Sequence, residues 1–463
     1  MNDIKDKQEI LNAALKPIYK LYSDGSYKEA LSALDKLIQE FPNNNFLYTM
    51  GGDCYSNLKQ YKLAIACYDE ALKSSLDNSV DTFCNKSNAL IELQKYEEAI
   101  ACAKKAIEIK NDHSPAFFNL GVSAMHLRFF DLSMESFNKA IELEPNFEKY
   151  KFAKSTLLLL YGDFKNGWAL WESRWKLDKL FSAKLKTNLP VWTGNKNAKV
   201  LVWPEQGIGD QILYSSLLND LSRKCSELIV IVDPRLINLL TRSMGDFCTF
   251  YPDNKKDVEL DYDEHIPMGS LCQYFRTNEK DFECSQNGFL KDDAIKTANI
   301  KENISALAPA KNKICGISWR SSGIKKGTHK SINLKIFIET IKLEGYTFVS
   351  LQYGDTKKDI KEVKDELGLD VISYDKIDNF NDIDGLASLI QSCDVVLSVD
   401  NITCQLAGAL GKEIHILLTL ESWWGWMVNR DDSPWYNSAK LYRKELNETN
   451  LELLNKLKKS LDL

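Results

Sequence analysis

Two rhythms of apolar and polar residues divide the chain. In the first third an aromatic side chain returns at Tyr27, Tyr61, Tyr96, Phe130 and Phe164, at spacings of 34, 35, 34 and 34 residues. A small residue follows three positions later each time: Ala30, Ala64, Ala99, Ser133 and Gly167. Seven positions further stand Leu37, Ala71, Ala106 and Ala140. Small residues at fixed helical positions let the two helices of a hairpin approach closely, and the aromatic fills the space beside them. From residue 199 the rhythm changes. Apolar runs at 200–203, 228–232, 247–251, 314–319, 347–352, 370–373, 395–399 and 414–418 read as strands, with a further short strand within 258–267. Helices are expected to open at Asp210 and to run over 234–244, 334–342, 357–367, 382–391 and 402–410. This alternation predicts a parallel, doubly wound α/β arrangement in two halves facing a cleft. A last amphipathic helix, 451–461, is expected to cross back over the first half.

The period of 34 resembles the tetratricopeptide repeat, over about the first 175 residues. The best unit is 116–147, with Phe117, Leu120, Gly121, Phe137, Ala140 and Pro145 in the expected places. The resemblance implies an α-solenoid whose concave face holds a peptide or protein. The last unit carries Trp168, Trp171 and Trp175. Three tryptophans on one helix are too much apolar surface to leave in water, so they are expected to seat the repeats against the next domain. Residues 178–197 read as a connector, with Leu189, Pro190, Val191 and Trp192 packed on that neighbour. The domains expected are therefore 1–178, 179–311 and 312–463.

The candidate chemistry sits where strands end. The run 200–203 stops at Pro204 and is followed by Glu205-Gln206-Gly207-Ile208-Gly209-Asp210. Strand, glycine turn and helix form a crevice at the strand's carboxyl end, where backbone N–H groups favour an anion or a polarised oxygen. Asp210 either caps the helix or faces the crevice as a base, with Gln206, Gly207 and Gly209 as the loop beside it. His265 ends a neighbouring short strand, as a second candidate base or as a structural histidine. The loop after 314–319 brings Arg320, Ser322, Lys325, Lys326 and Lys330, a set suited to phosphate or to plain solvation. Gln352 opens the loop Gln352-Tyr353-Gly354-Asp355, where a nucleoside base could rest. Asp400, Asn401, Ile402, Thr403 and Gln405 open the helix into LAGALG. Its N–H groups suit a diphosphate and Asp400 sugar hydroxyls, with helix capping as the other reading.

These residues resemble the heptosyltransferase family of glycosyltransferases, which has the two-Rossmann GT-B fold. That family's first motif is a strand followed by G-x-x-G-D, matched at its end by Gly209-Asp210. Its second is a strand ending in V-D-[TN] before a helix near H-L-A-G-A-L-G. Here it reads Val399-Asp400-Asn401 and then Gln405-Leu406-Ala407-Gly408-Ala409-Leu410-Gly411, with Gln405 in place of the histidine. The chain is also similar to bacterial proteins that fuse tetratricopeptide repeats to such a module. The shared features are Pro204 to Asp210, His265-Ile266-Pro267, Ser350-Leu351-Gln352 and Arg430 to Tyr436. The resemblance implies a metal-independent GT-B glycosyltransferase. It implies no cofactor, a nucleotide-sugar donor bound by the second half, and Asp210 as the base for the acceptor hydroxyl. It further implies a protein acceptor, flagellin-like in some members, held by the repeats. A lipopolysaccharide-type glycan acceptor, or a non-catalytic scaffold that binds a nucleotide sugar, are the competing readings.

Composition narrows the class. A net charge of −6 disfavours nucleic acid as a partner. No apolar run approaches the length of a membrane span, and the start of the chain lacks the apolar segment of a signal peptide. The eleven cysteines form no C-x-x-C pair and are expected as reduced thiols of a cytoplasmic protein. The five histidines lack metal-ligand spacing, and Asp261/Asp263 and Asp382/Asp384 read as strand-end or cap carboxylates, so no metal is expected. Trp423, Trp424 and Trp426 either cover a sugar or base or lock the halves together.

Overall fold

The computed structural model describes residues 2–74, 80–177, 184–254, 260–285, 288–309, 312–321, 330–420 and 423–461. The chain forms two compact units, Met1–Leu157 and Leu158–Leu463.

The first unit is a run of helical hairpins. Its helices are Asn2–Ser23, Tyr27–Glu40, Asn45–Asn57, Tyr61–Ser74, Val80–Glu92, Tyr96–Ile109, Ser114–His126, Phe130–Leu143 and the start of Glu148–Leu160. Each recurring aromatic is the first residue of its helix. The small residues that follow, Ala30, Ala64, Ala99 and Ser133, are fully buried. The close approach is steric: a Cβ on Gly121 would lie 2.6 Å from the Phe137 ring. Ser133 Oγ also donates to the Gly121 carbonyl at 2.7 Å. The turns repeat as faithfully. Two residues before each aromatic the backbone is left-handed, at Gly25, Lys59, Gln94 and Arg128, with φ between 60° and 76°. The next N–H then reaches back to a carbonyl five residues earlier, for example Gln60 to Tyr55 at 2.8 Å and Lys95 to Leu90 at 2.9 Å. This closes each helix as a Schellman turn.

The second unit opens with Phe164–Trp171, a one-turn 3₁₀ extension at Glu172–Lys176, and the α/β region. The boundary at Leu157 leaves all three tryptophans of the last repeat in this unit. Trp168 and Trp171 pack edge-on against Trp424, with centroids 5.1 and 5.5 Å away, and Trp175 lies 5.1 Å from Trp203. Trp168 Nε1 donates to the Arg276 carbonyl at 2.7 Å.

Two parallel sheets follow. The first holds β1 (Lys199–Trp203), β2 (Glu227–Val232), β3 (Thr249–Pro252) and β4 (Glu264–Pro267) in the order β3-β2-β1-β4. The second holds β5 (Lys313–Ser318), β6 (Tyr346–Ser350), β7 (Val371–Ile372), β8 (Val395–Val399), β9 (Ile414–Leu418) and β10 (Ala439–Arg443) in the order β10-β9-β8-β5-β6-β7. Both orders reverse beside the opening strand, between β1 and β4 and between β5 and β8, which is where doubly wound sheets bind ligands. β8 and β9 are buried along their whole length, as parallel strands covered on both faces must be.

Two expectations are corrected, and two further elements stand where the pattern predicts none. The last helix, Asn450–Ser460, does not cross the first half. Its Leu453, Leu454 and Leu457 join Phe337, Ile338 and Ile341 in the core of the second sheet. Residues 277–312 contain a helix, Ala294–Leu307, which the pattern hid because Ile295 and Leu307 are exposed and only Ile300 and Ile304 are buried. Of the connector's apolar residues Trp192 is buried, whereas Leu189 and Val191 are 43% and 52% exposed. Val191 instead forms a backbone bridge to His265. β10 was also not foreseen: it is an edge strand whose outward Lys440 interrupts the apolar run.

Candidate functional site

A cavity of about 420 Å³ lies where the loops after the strands meet. From the first sheet come Gly207, Ile208, Gly209 and Asp210 after β1, and Arg235 after β2. From the second come Ser321 and Lys330 after β5, Tyr353 after β6, Asn379, Phe380 and Ile383 after β7, Asp400, Asn401, Ile402 and Gln405 after β8, and Trp423 after β9. Its volume falls in the range of roughly 300–1,000 Å³ typical of small-molecule sites.

Asp210 is the third residue of helix Ile208–Ser215, and its Oδ2 accepts the Gly207 N–H at 3.2 Å. It therefore caps the helix and faces the cavity together. Burial pushes its carboxyl up to about 7; the Gly207 N–H opposes the shift and the charges of Glu205 and Asp400 add to it. Gln206 takes a left-handed backbone, φ 63°, and is not among the lining residues, whereas Gly207 and Gly209 beside it are.

On the opposite wall Asp400 is held from two sides. Trp426 Nε1 donates to its Oδ1 at 2.9 Å, and Lys330 Nζ pairs with its Oδ2. Asn401 caps helix Ile402–Ala409 by accepting the Thr403 N–H at 2.9 Å. Its Nδ2 donates to Ser318 Oγ at 2.7 Å and the Arg320 carbonyl at 2.9 Å, tying β8 to β5. Thr403 is buried behind this wall. Gln405 lines the cavity, and its Oε1 accepts the Tyr436 hydroxyl at 2.8 Å.

Several expected residues lie elsewhere. Arg320 turns to Asp355, donating to its carbonyl at 2.6 Å, and to Asp359, 3.4 Å away. Gln352 is buried, and its Oε1 accepts from Ser318 Oγ and the Trp319 and Arg320 N–H groups at 2.7–3.1 Å, so it staples β6 to β5. His265 is not among the lining residues. Its Nδ1 accepts from Trp203 Nε1 at 3.1 Å, and burial lowers its basicity. Ser322 and Lys326 lie outside the described residues.

The lining adds Arg235, Phe380, Asn379 and Ile383, which the sequence reading passed over. Arg235 forks onto Asp233 at 2.8–2.9 Å, donates to the Phe380 carbonyl at 3.1 Å and lies 5.1 Å from that ring. The available signal was position, since Arg235 follows the end of β2 by three residues and Phe380 the short strand β7 by eight. Trp423 lines the cavity, and its ring lies over Gly425, where a Cβ would meet it at 1.9 Å. The paired carboxylates are engaged: Asp261 and Asp263 by Lys199, Asp382 by Lys296 and Asp384 by Arg242. Among the described residues no group of three or more His, Cys, Asp or Glu is placed to hold a metal, and no helix is long and apolar enough to cross a membrane.

A family model described as anaphase-promoting complex, cyclosome, subunit 3 matches residues 23–106, and one described as tetratricopeptide repeat matches residues 114–147. The chain is 24% identical over 441 residues to Protein FlbA of Caulobacter vibrioides, covering 90% of this chain and 67% of FlbA. It is 32% identical over 100 residues to the small glutamine-rich tetratricopeptide repeat-containing protein of Dictyostelium discoideum, covering 22% of this chain and 30% of that one. Among solved structures, a MamA RS-1 double mutant aligns with 35% of this chain and 90% of its own at 20% identity and a TM-score of 0.33. Pseudomonas aeruginosa pilF aligns with 36% of this chain and 76% of its own at 20% identity and a TM-score of 0.34. The family models and the hairpin geometry agree, and the first unit is a stack of tetratricopeptide repeats.

Proposed function

We propose that the chain is a GT-B-like glycosyltransferase that moves a sugar from a nucleotide-sugar donor to a protein acceptor recruited by the repeats. The observation that carries this reading is the pairing of walls in one cavity. On one wall stands Asp210, a carboxyl held near neutrality. On the other stands a capped helix start flanked by Asp400 and Lys330. Glycosyl transfer needs both. The acceptor hydroxyl oxygen attacks the anomeric carbon while Asp210 takes its proton. The anomeric carbon–oxygen bond to phosphate breaks, and the nucleotide leaves with the electron pair. N–H dipoles of Ile402–Ala409 and the Lys330 ammonium stabilise that developing charge. The transfer also requires that water be excluded and the reactants aligned when the substrates fill the cavity. A carboxyl poised near 7 is matched to this task, because a base works best with a pKa near the working pH. No metal takes part in this scheme, and the repeats supply the protein-binding surface.

The test is single-turnover transfer by the full chain, offered uridine-, guanosine-, adenosine- and cytidine-linked sugars and a co-expressed candidate acceptor followed by intact mass. Asp210→Asn keeps an oxygen to cap Gly207, so it should keep donor binding and lower transfer by about 10²–10⁴-fold. Absence of nucleotide binding across the panel would sink the proposal, and normal transfer by Asp210→Asn would move the base elsewhere.

A further inference from the structure

The most completely buried ion pair described in the α/β unit lies outside the cavity, one turn away from it. Arg174 and Glu205 are each 2% exposed. The guanidinium addresses the carboxylate with two donors, Nε to Oε2 at 2.7 Å and Nη2 to Oε1 at 2.8 Å. Its remaining donors reach Ser270 Oγ at 2.9 Å, Glu172 Oε1 at 2.8 Å and the Trp171 carbonyl at 3.0 Å. Glu205 Oε1 also accepts the Gly269 N–H at 2.6 Å, and a Cβ on residue 269 would lie 2.4 Å from that oxygen. Glu205 is the residue from which the chain turns, through left-handed Gln206, into Gly207 and Asp210.

A buried carboxylate costs far more than a hydrophobic residue of its size unless it is paired, so its presence calls for a reason beyond packing. We propose that Arg174 is a positioning residue for Asp210: by neutralising and gripping Glu205 it fixes the glycine turn and the electrostatic field in which the Asp210 carboxyl works. This rests on the reading of Asp210 as the base of the site and extends it to a residue two elements upstream. The other charged or titratable groups that act on Asp210 or share its cavity are Asp400 with its partner Lys330, Arg235 from the first-sheet side, and the phenols of Tyr214 and Tyr436. Arg174 acts on none of them directly by a hydrogen bond. Its grip on the Asp210 turn runs through Glu205, and its charge offsets that of Glu205 in the field at Asp210.

The experiment follows the Asp210 carboxyl itself and needs no ligand or turnover. The full chain is labelled with aspartate carrying ¹³C at the side-chain carboxyl. The Asp210 resonance is identified by its loss in Asp210→Asn and titrated by NMR, with a melting curve beside each variant. Arg174→Met leaves the Glu205 charge bare and should raise the Asp210 midpoint by on the order of one pH unit; Glu205→Gln leaves the Arg174 charge bare and should lower it by a similar amount. A merely structural pair would loosen the turn in both variants and move both midpoints the same way. Shifts of the same sign, or unmoved midpoints in folded variants, would overturn the proposal. If Arg174→Met does not fold, Arg174→Lys keeps the charge and should hold the wild-type midpoint, while Glu205→Gln must still lower it. A chain that transfers no sugar still shows these shifts, so this proposal and the glycosyltransferase reading fail separately.

Discussion

The two units solve the same problem, burying apolar surface, by opposite means. In the repeats each hairpin is closed by local contacts: Gly121 against Phe137, and Ser87 Oγ on the Ala99 carbonyl at 2.8 Å. In the α/β unit the defining contacts join distant residues. Trp168 reaches the Arg276 carbonyl, Arg174 reaches Glu205, and Asn401 reaches Ser318. A repeat array is stabilised between neighbours and tolerates damage locally, whereas a doubly wound unit depends on long-range partners. The helix Phe164–Trp171 shows the difference in one element: its sequence follows the repeat period, yet its tryptophans belong to the α/β core.

The largest expected effect breaks the assumption that a repeat-like sequence is dispensable to the α/β unit. A chain truncated to begin at residue 180 loses Trp168, Trp171 and Arg174 and leaves Glu205 buried without its cation. Losing one partner of a buried pair costs about 3–5 kcal/mol, and each buried tryptophan adds a similar sum. Such a chain should aggregate or lack a cooperative melt. One beginning at Glu148 should melt cooperatively, as read by circular dichroism. Equal behaviour of the two would show that the tryptophan segment is not part of this core.

Within the repeats, Phe137→Ala removes a fully buried ring and should cost about 3–5 kcal/mol. By the locality argued above, the loss should appear in hydrogen exchange of Ser114–His126 and Phe130–Leu143 before it appears in distant hairpins. Uniform loosening along the whole first unit would contradict the nearest-neighbour picture.

A smaller effect separates the site from the scaffold. Because the Asp210 carboxyl is raised in the folded chain, the fold binds a proton that the unfolded chain has released between about pH 4 and 7. Its contribution is complete below the unfolded value and is lost as pH rises through about 7. Asp210→Asn should therefore stabilise the α/β unit at pH 8, by on the order of 1–3 kcal/mol after allowing for solvent screening, and by much less at pH 5. Calorimetry at the two pH values checks the sign. Equal changes at both would show that the carboxyl is not raised.

The smallest effect tests the repeat turns. Lys59, Gln94 and Arg128 hold left-handed backbone that glycine takes without a Cβ clash. Lys59→Gly, Gln94→Gly or Arg128→Gly should each stabilise the first unit by about 0.5–1 kcal/mol, seen as a raised melting temperature. Destabilisation would mean that these side chains contribute more than their turns cost.

The sequence by itself determined the repeats, because a period of 34 written in aromatic and small residues is a local code read hairpin by hairpin. It also determined the strand ends that carry Gly207, Asp210, Asp400 and Gln405, since each lies just beyond a buried apolar run or in the first turn of the following helix. What only the tertiary structure decided are the choices made by contact between distant segments. Arg320 turned to Asp355 and Gln352 became a staple because a carbonyl on the β6 loop and N–H groups at the end of β5 engage their polar groups. His265 went to Trp203 because the β1–β4 register sets those strands side by side. Arg235 and Phe380 joined the cavity because the loops of one sheet meet those of the other, a placement invisible in any one segment, and Arg235 there donates to the Phe380 carbonyl.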